Sequence, residues 1–294
     1  MDYLQFVLLT QALLNGILLG LIYTAMAVGL SLTMGVMGIV NVAHSTFIIL
    51  GSYAAFELSR YFGLDPMVSI LVIIPLFFLI GALLERGLMR HVARADSTIG
   101  LLILFGVLVI LESAAILVWT TDTQVININY GPSFILGDFI IGRPRLYAGI
   151  VALIMVGLTY YLLQKTMLGK GIRAMAQNRD AAMMMGINVE RLSMIVFGIG
   201  TATAAVGGVA LAMVFPFTPQ DHIRWLAWAF LVVVVGGLGN VRNTLLAGLV
   251  VGVTETLSGV LLPFQFVPVV IYSFLALALV VRGQGLAGTE RRTI

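Results

Sequence analysis

The residues able to do chemistry are few, and they interrupt membrane-like sequence. Asn41, His44 and Ser45 close the stretch Gly35-Val-Met-Gly-Ile-Val-Asn-Val-Ala-His-Ser45, with Ser52 just beyond. An apolar run from Phe6 to Met34 precedes it, and another from Phe47 to Phe56 follows. In hydrocarbon each unpaired polar group costs several kcal/mol, so irregular polar backbone survives only against protein or a watery cavity. Continued as a helix at about 100° per residue, Asn41, Ser45 and Ser52 form one stripe with His44 about 60° to its side. Two readings stand: a broken helix lining a path, or a seam where small residues let helices approach. Two acids also lie inside apolar runs. Glu255 sits about eleven residues into its run, roughly 16 Å deep, where a carboxylate is partnered, protonated or faces a cavity. A structural or gating contact and a path-lining role are both open to it. Glu112 sits about seven residues from the outer end of its run and can reach outward water; packing is the plainer role.

The elements that must position these residues are membrane helices. The chain has 294 residues, 60% of them hydrophobic and only 10% charged, with a mean hydropathy of +1.08. Soluble domains carry about 25% charged residues, so the fold class is all-α, a polytopic transmembrane helical bundle. Continuous apolar runs exclude a barrel of alternating strands. With no cysteine, there is no disulfide, thiolate metal site or thiol nucleophile. No metal-binding or catalytic set is expected. An intramembrane enzyme built from His44, Glu112, Glu255 and the serines is a rival reading, but no H-E-x-x-H or G-x-S-x-G pattern supports it. A channel or secondary carrier is the other rival. The first apolar segment lacks a basic lead and is long enough to span, so no cleavable signal is expected.

Spans are expected at about 11–34, 42–60, 66–85, 98–119, 146–164, 193–215, 225–239, 243–262 and 266–282. The seventh is the weakest, because its apolar core runs from Trp225 to Val235 before Gly236-Gly237-Leu238-Gly239. A broken or re-entrant helix there makes the count eight rather than nine. Twelve of the 16 basic residues share one side: Arg86, Arg90, Arg94, Lys165, Lys170, Arg173, Arg179, Arg191, Arg242, Arg282, Arg291 and Arg292. Arg60, Arg143, Arg145 and Arg224 take the other. The positive-inside rule puts the first group and the C-terminus in the cytoplasm and the N-terminus outside. The loop of about 120–145, with Asn127, Asn129 and Asp138, is then an external cap or docking surface. Gly35, Gly38 and Gly51 recur at a constant offset of 201 as Gly236, Gly239 and Gly252. Chance or duplication explains this; paired broken helices flank the ligand in many transporters.

The loop of about 166–192 carries a second signal. Within it lies Asp180-Ala181-Ala182-Met183-Met184-Met185-Gly186, a short helix-favouring run ended by glycine. Methionine suits surfaces that re-pack against a partner; packing on the chain's own cytoplasmic ends is the alternative.

Asp180-Ala-Ala-x-x-x-Gly186 resembles the EAA-x-x-x-G coupling motif of bacterial ABC importer permeases, with Asp for Glu. Arg173-Ala-x-Ala-Gln-Asn178, Gly186-Ile-Asn188, Asn41-Val-Ala-His44, Gly51-Ser-Tyr53, Glu85-Arg86 and Gly236-Gly-Leu-Gly239 resemble the branched-chain amino-acid permease branch. The tail Arg282-Gly-Gln-Gly-Leu286 is similar to that family's Arg-Pro-Gln-Gly-Leu, with Gly283 for proline. The resemblance implies a single permease domain over 1–294 in the bacterial inner membrane, with residues 180–186 as a cytoplasmic coupling helix. It also implies the partners: a second homologous permease, two cytoplasmic ATP-binding subunits and a periplasmic substrate-binding protein. Membrane lipid surrounds the chain, and nucleic acid has no place. No cofactor is expected on this chain, because it lacks a G-x-x-x-x-G-K-[ST] phosphate loop; ATP belongs to the partners. The path is expected to run past Asn41, His44, Ser45, Ser52, Gly236, Gly237, Gly239 and Glu255. The family makes branched-chain amino acids the default cargo, with urea, short amides and aromatic acids as alternatives. Where relatives carry an acid and a lysine, this chain has Thr46 and Trp228, which favours a cargo less dependent on paired charges. On the wheel, Thr46 lies about 140° from Asn41 and so faces lipid or a neighbouring helix.

Overall fold

In the computed structural model, which describes residues 3–90, 97–127 and 130–281, one helix organises the others. Helix α1 (Tyr3–Met37) runs 35 residues, about 52 Å at 1.5 Å per residue. It outruns the expected span at both ends. From Ile22 to Met34 every residue is buried, because the segment is mostly apolar and the Thr24 and Thr33 hydroxyls donate to the Gly20 and Gly29 carbonyls one turn back. Neighbours enclose it: α5 (Arg143–Lys165), α8 (Val189–Ala212), α9 (His222–Gly236) and α10 (Val241–Leu261). Small residues set the spacing. A Cβ on Gly20 would lie 2.6 Å from the Gly248 carbonyl oxygen, so α1 and α10 touch backbone to backbone. In a bilayer, where burying apolar side chains gains little, such close approach supplies the attraction.

Helices α2 (His44–Phe62) and α3 (Pro66–Leu84) pack on α8. Asp65 starts α3 by accepting the Met67 N–H at 2.8 Å, with Pro66 in the first turn. A π-helical turn, Glu85–Met89, continues α3. Helix α4 (Ser97–Trp119) runs along the periphery. Among the described residues six helices are long and apolar enough to cross a membrane: Tyr3–Met37, Pro66–Met89, Thr98–Trp119, Arg143–Lys165, Val189–Ala212 and Val241–Leu261. Helix α2 carries Glu57 and Arg60, and α9 and α11 (Val267–Val281) have only 15 residues each.

At one end of the bundle sits an antiparallel hairpin, β1 (Phe134–Leu136) with β2 (Phe139–Ile141). It clasps α1: Tyr3 donates to Asp138. The Gln11 amide donates to the Ile140 carbonyl at 2.7 Å and accepts its N–H at 2.9 Å. Tyr130 donates to Asp65 at 2.9 Å; burial, reinforced by that carboxylate, pushes its hydroxyl above the ordinary tyrosine range. Arg60, Arg143, Arg145 and Arg224 belong to this end.

At the other end α6 (Met167–Gln177) and α7 (Arg179–Met184) join α5 to α8. Arg90 pairs with Glu190 at 2.5 Å, tying the end of α3 to the start of α8. Arg86, Lys165, Lys170, Arg173, Arg179, Arg191 and Arg242 gather here too. Arg94, Asn129, Arg282, Arg291, Arg292 and the tail motif 282–286 lie outside the described residues. At the offset of 201, Gly38 corresponds in sequence to Gly239, and both take a positive φ, +67° and +71°.

Candidate translocation site

The first break begins where α1 stops. Gly38 takes a left-handed φ of +67°, and 38–43 is not helical. Its course is fixed by His44, whose Nε2 lies 2.8 Å from the Met26 carbonyl. A carbonyl only accepts, so Nε2 carries the proton and Nδ1 presents its lone pair. Met26 lies about 16 Å back along α1 from Met37. The segment 38–43 therefore folds back beside α1, and α2 begins deep in the layer.

This changes the geometry expected of the stripe. Asn41 precedes α2 instead of lying on its face, so only Ser45 and Ser52 share a helical side. Ser45 donates to the Val42 carbonyl at 3.2 Å. Ser52 donates to the Gly208 carbonyl at 2.8 Å, within the seam between α2 and α8. All four polar residues are at most 2% exposed. Three atoms near the turn are buried with no hydrogen-bond partner: Asn41 Oδ1, His44 Nδ1 and Thr46 Oγ1. Each such atom costs about 1–3 kcal/mol, and they fall within six residues. Thr46 is thus enclosed by protein, not lipid.

The second break packs against the last turns of α1. Helix α9 ends at Gly236, and Gly237 and Gly239 take φ of +85° and +71°. The Gly239 N–H donates to both the carbonyl and the hydroxyl oxygen of Ser31 at 3.0 Å. The Ser31 hydroxyl lies 3.3 Å from the Gly237 carbonyl oxygen. A Cβ on Gly35 would lie 2.6 Å from Gly239 Cα. The second break thus touches the end of α1 through bare backbone. Ser31 was missed in the sequence reading, since one serine in an apolar helix has no distinguishing spacing.

The acids separate. Glu255 is half-buried, and its Oε2 accepts from Tyr23 at 2.6 Å and from Trp228 Nε1 at 2.9 Å. Tyr23 carried no sequence signal; Trp228 was noticed only as a departure from the family pattern. Glu112 lies 3.9 Å from His222 Nδ1, which also contacts the Pro219 carbonyl at 3.1 Å. Tyr23, Met26, Ser31 and Gly35 thus hold the acid and both breaks along about 18 Å of α1.

Residues 180–186 form a protruding corner. Asn178 caps α7 by accepting the Ala181 N–H at 2.9 Å. Ala182 is buried, while Met183, Met184 and Met185 are 50%, 85% and 83% exposed. Gly186, at φ +79°, reverses the chain. Beside it a cavity of about 380 Å³ is lined by Glu85, Arg90, Arg179, Asp180, Met183, Val189 and Glu190.

Apolar helices enclosing a polar backbone junction define a multi-pass membrane protein. Residues 12–282 match the family described as branched-chain amino acid transport system / permease component, and the chain belongs to that family. It is 28% identical to the high-affinity branched-chain amino acid transport system permease protein LivH of Escherichia coli (strain K12), covering 97% of each chain. The BraD permease protein of the corresponding system in Pseudomonas aeruginosa is 28% identical over 95% of each chain. The ribose import permease protein RbsC of Haemophilus influenzae is 25% identical over 83% of this chain and 74% of that one. No solved structure matches the chain.

Proposed function

We propose that the chain is one permease domain over 1–294, forming half of the path of an ATP-driven importer for branched-chain or related amino acids and small carboxylates. The carrying observation is that α1 holds both glycine breaks, the second by backbone contact at Ser31 and Gly35 and the first at Met26, where Asn41, His44 and Thr46 leave three polar atoms unpartnered. Backbone groups and neutral side chains bind a polar solute weakly, which suits a subunit that must let go of its cargo. A cargo without paired charges, such as urea, a short amide or an aromatic acid, is the second reading, favoured by the neutral groups at the break.

In this reading the chain makes nine passes, α2 and α9 being shortened by the breaks. The hairpin end and N-terminus face outward, where a substrate-binding protein docks. The basic end and C-terminus face the cytoplasm of a bacterial inner membrane. Two ATPase subunits bind there, and a second, homologous permease completes the path; this chain carries no phosphate loop of its own. Helix α7 with Met185 and Gly186 is the coupling element. Its exposed methionines fit a partner's groove. Asn188 accepts the Arg191 N–H at 2.9 Å and so begins α8 directly after it. Since α8 packs on α1, α2 and α3, a push on α7 reaches the break.

Replacing Gly186 with leucine forces a side chain into left-handed backbone at the docking corner. Uptake should fall about tenfold or more while ATP hydrolysis persists and assembly stays intact. Normal uptake with normally stimulated hydrolysis would contradict the coupling role. Large residues at Ser45 or Gly237 should block uptake without loss of assembly; unimpaired transport in both moves the path elsewhere.

A further inference from the structure

Glu255 is aimed. Two fixed donors, Tyr23 and Trp228, converge on its Oε2; both are enclosed, at 0% and 3% exposure, while Glu255 is only half-buried. Among the described residues no Lys or Arg lies within ion-pair distance of it. A carboxylate inside an apolar layer is costly without a cationic partner, so an approaching ammonium finds a strong and oriented acceptor.

The surroundings add three complementary groups. Trp225 stands 6.3 Å from Tyr23 and 6.5 Å from Trp228 between ring centroids, and Tyr272 meets Trp228 edge-on at 5.6 Å. Aromatic faces attract ammonium groups and cover apolar side chains. The Trp225 Nε1–H is buried without an acceptor. Just before Trp225 and one turn before Trp228 on α9, the Arg224 guanidinium lies over their rings at 4.8 Å and 5.5 Å. An anion, an aromatic wall, an unpaired donor and a cation together match a zwitterion with an apolar side chain.

We propose that this cluster is the station where the path reads an amino-acid zwitterion, an inference that rests on the importer reading. Glu255 takes the α-ammonium; Trp225 Nε1 and Arg224 take the α-carboxylate. The rings of Trp228 and Tyr272 cover the side chain. Tyr23 and Trp228 are positioning residues: they hold Glu255 and reach the cargo's ammonium only through it. Tyr23 lies three residues from Met26, the anchor of His44, so the station adjoins the first break. Trp228 is then more than a lost lysine, because its indole N–H orients the acid.

The test uses the assembled complex in lipid nanodiscs without binding protein, with radiolabelled leucine as probe. Isoamylamine lacks the carboxylate and 4-methylpentanoate lacks the ammonium. Unlabelled leucine should compete, and each analogue should compete at least about tenfold more weakly, the loss of one charged contact. Glu255→Gln should weaken leucine binding about tenfold or more, with partial rescue in Glu255→Asp. Tyr23→Phe, which keeps the ring and loses only its hydroxyl, should weaken it about threefold to tenfold; Trp228→Phe, which loses the indole N–H and part of the ring, should weaken it at least as much. Equal competition by either analogue, or wild-type binding in Glu255→Gln, overturns the proposal. If Glu255→Gln does not assemble, the two phenylalanine variants decide, and unchanged binding in both overturns it. ATP-dependent leucine uptake by wild type that survives Glu255→Gln strikes this station alone; a wild-type complex with no ATP-dependent amino-acid uptake strikes the importer reading as well.

Discussion

Gly35 and Gly239 meet with no room for a methyl group, since a Cβ on Gly35 would lie 2.6 Å from Gly239 Cα. Gly35→Ala should therefore lower stability by about 1–3 kcal/mol, the usual cost of overpacking. Gly87→Ala, where a Cβ meets nothing within 4 Å, is the control and should stay near wild type. Thermal unfolding in detergent checks both; equal Tm values would contradict the contact. His44, Ser45 and Glu255 were legible in the sequence because polar groups inside apolar runs demand a reason. Tyr23 and Ser31 were not. Their importance lies in partners 232 and 208 residues away, and no local spacing encodes such pairs.

At the scale of elements, the breaks were visible and their direction was not. Glycines and a fall in apolarity marked both places, but hydropathy says nothing of backbone course. It took the His44–Met26 bond to show that 38–43 runs back along α1 and that Asn41 lies ahead of the helix. The length of α1 was underestimated for a related reason: Tyr3 and Gln11 are held by the hairpin, a tertiary clasp that prolongs the helix past its apolar core. The short α7 was legible through its glycine stop, though its cap Asn178 was noted only as part of a motif. Asn178→Ala removes the acceptor for the Ala181 N–H and should cost about 0.5–2 kcal/mol locally. Hydrogen exchange should then quicken across 179–186 while the middle of α8 stays protected. Uniform protection in both would contradict the capping role.

For the whole molecule, counting basic residues separates two ends, and the described ones gather at those ends; that the richer end is cytoplasmic is the proposal which labelling tests. The chain has no cysteine, so single cysteines report topology cleanly. With the N-terminus outside, Ile135→Cys on the hairpin should react with an impermeant thiol reagent in cells whose outer membrane is permeabilised. Met184→Cys should react only once the inner membrane is opened. Both positions are well exposed, at 72% and 85%, so access alone decides; the reverse pattern would invert the orientation. The central claim, that this chain is the permease half of an ATP-driven amino-acid importer, is tested most directly by transport. The chain, its partner permease, the two ATPase subunits and the binding protein, reconstituted in proteoliposomes, should accumulate labelled leucine only when ATP is supplied on the ATPase side. Leucine flux indifferent to ATP, or no uptake of any amino acid by an assembled and ATP-hydrolysing complex, would contradict it.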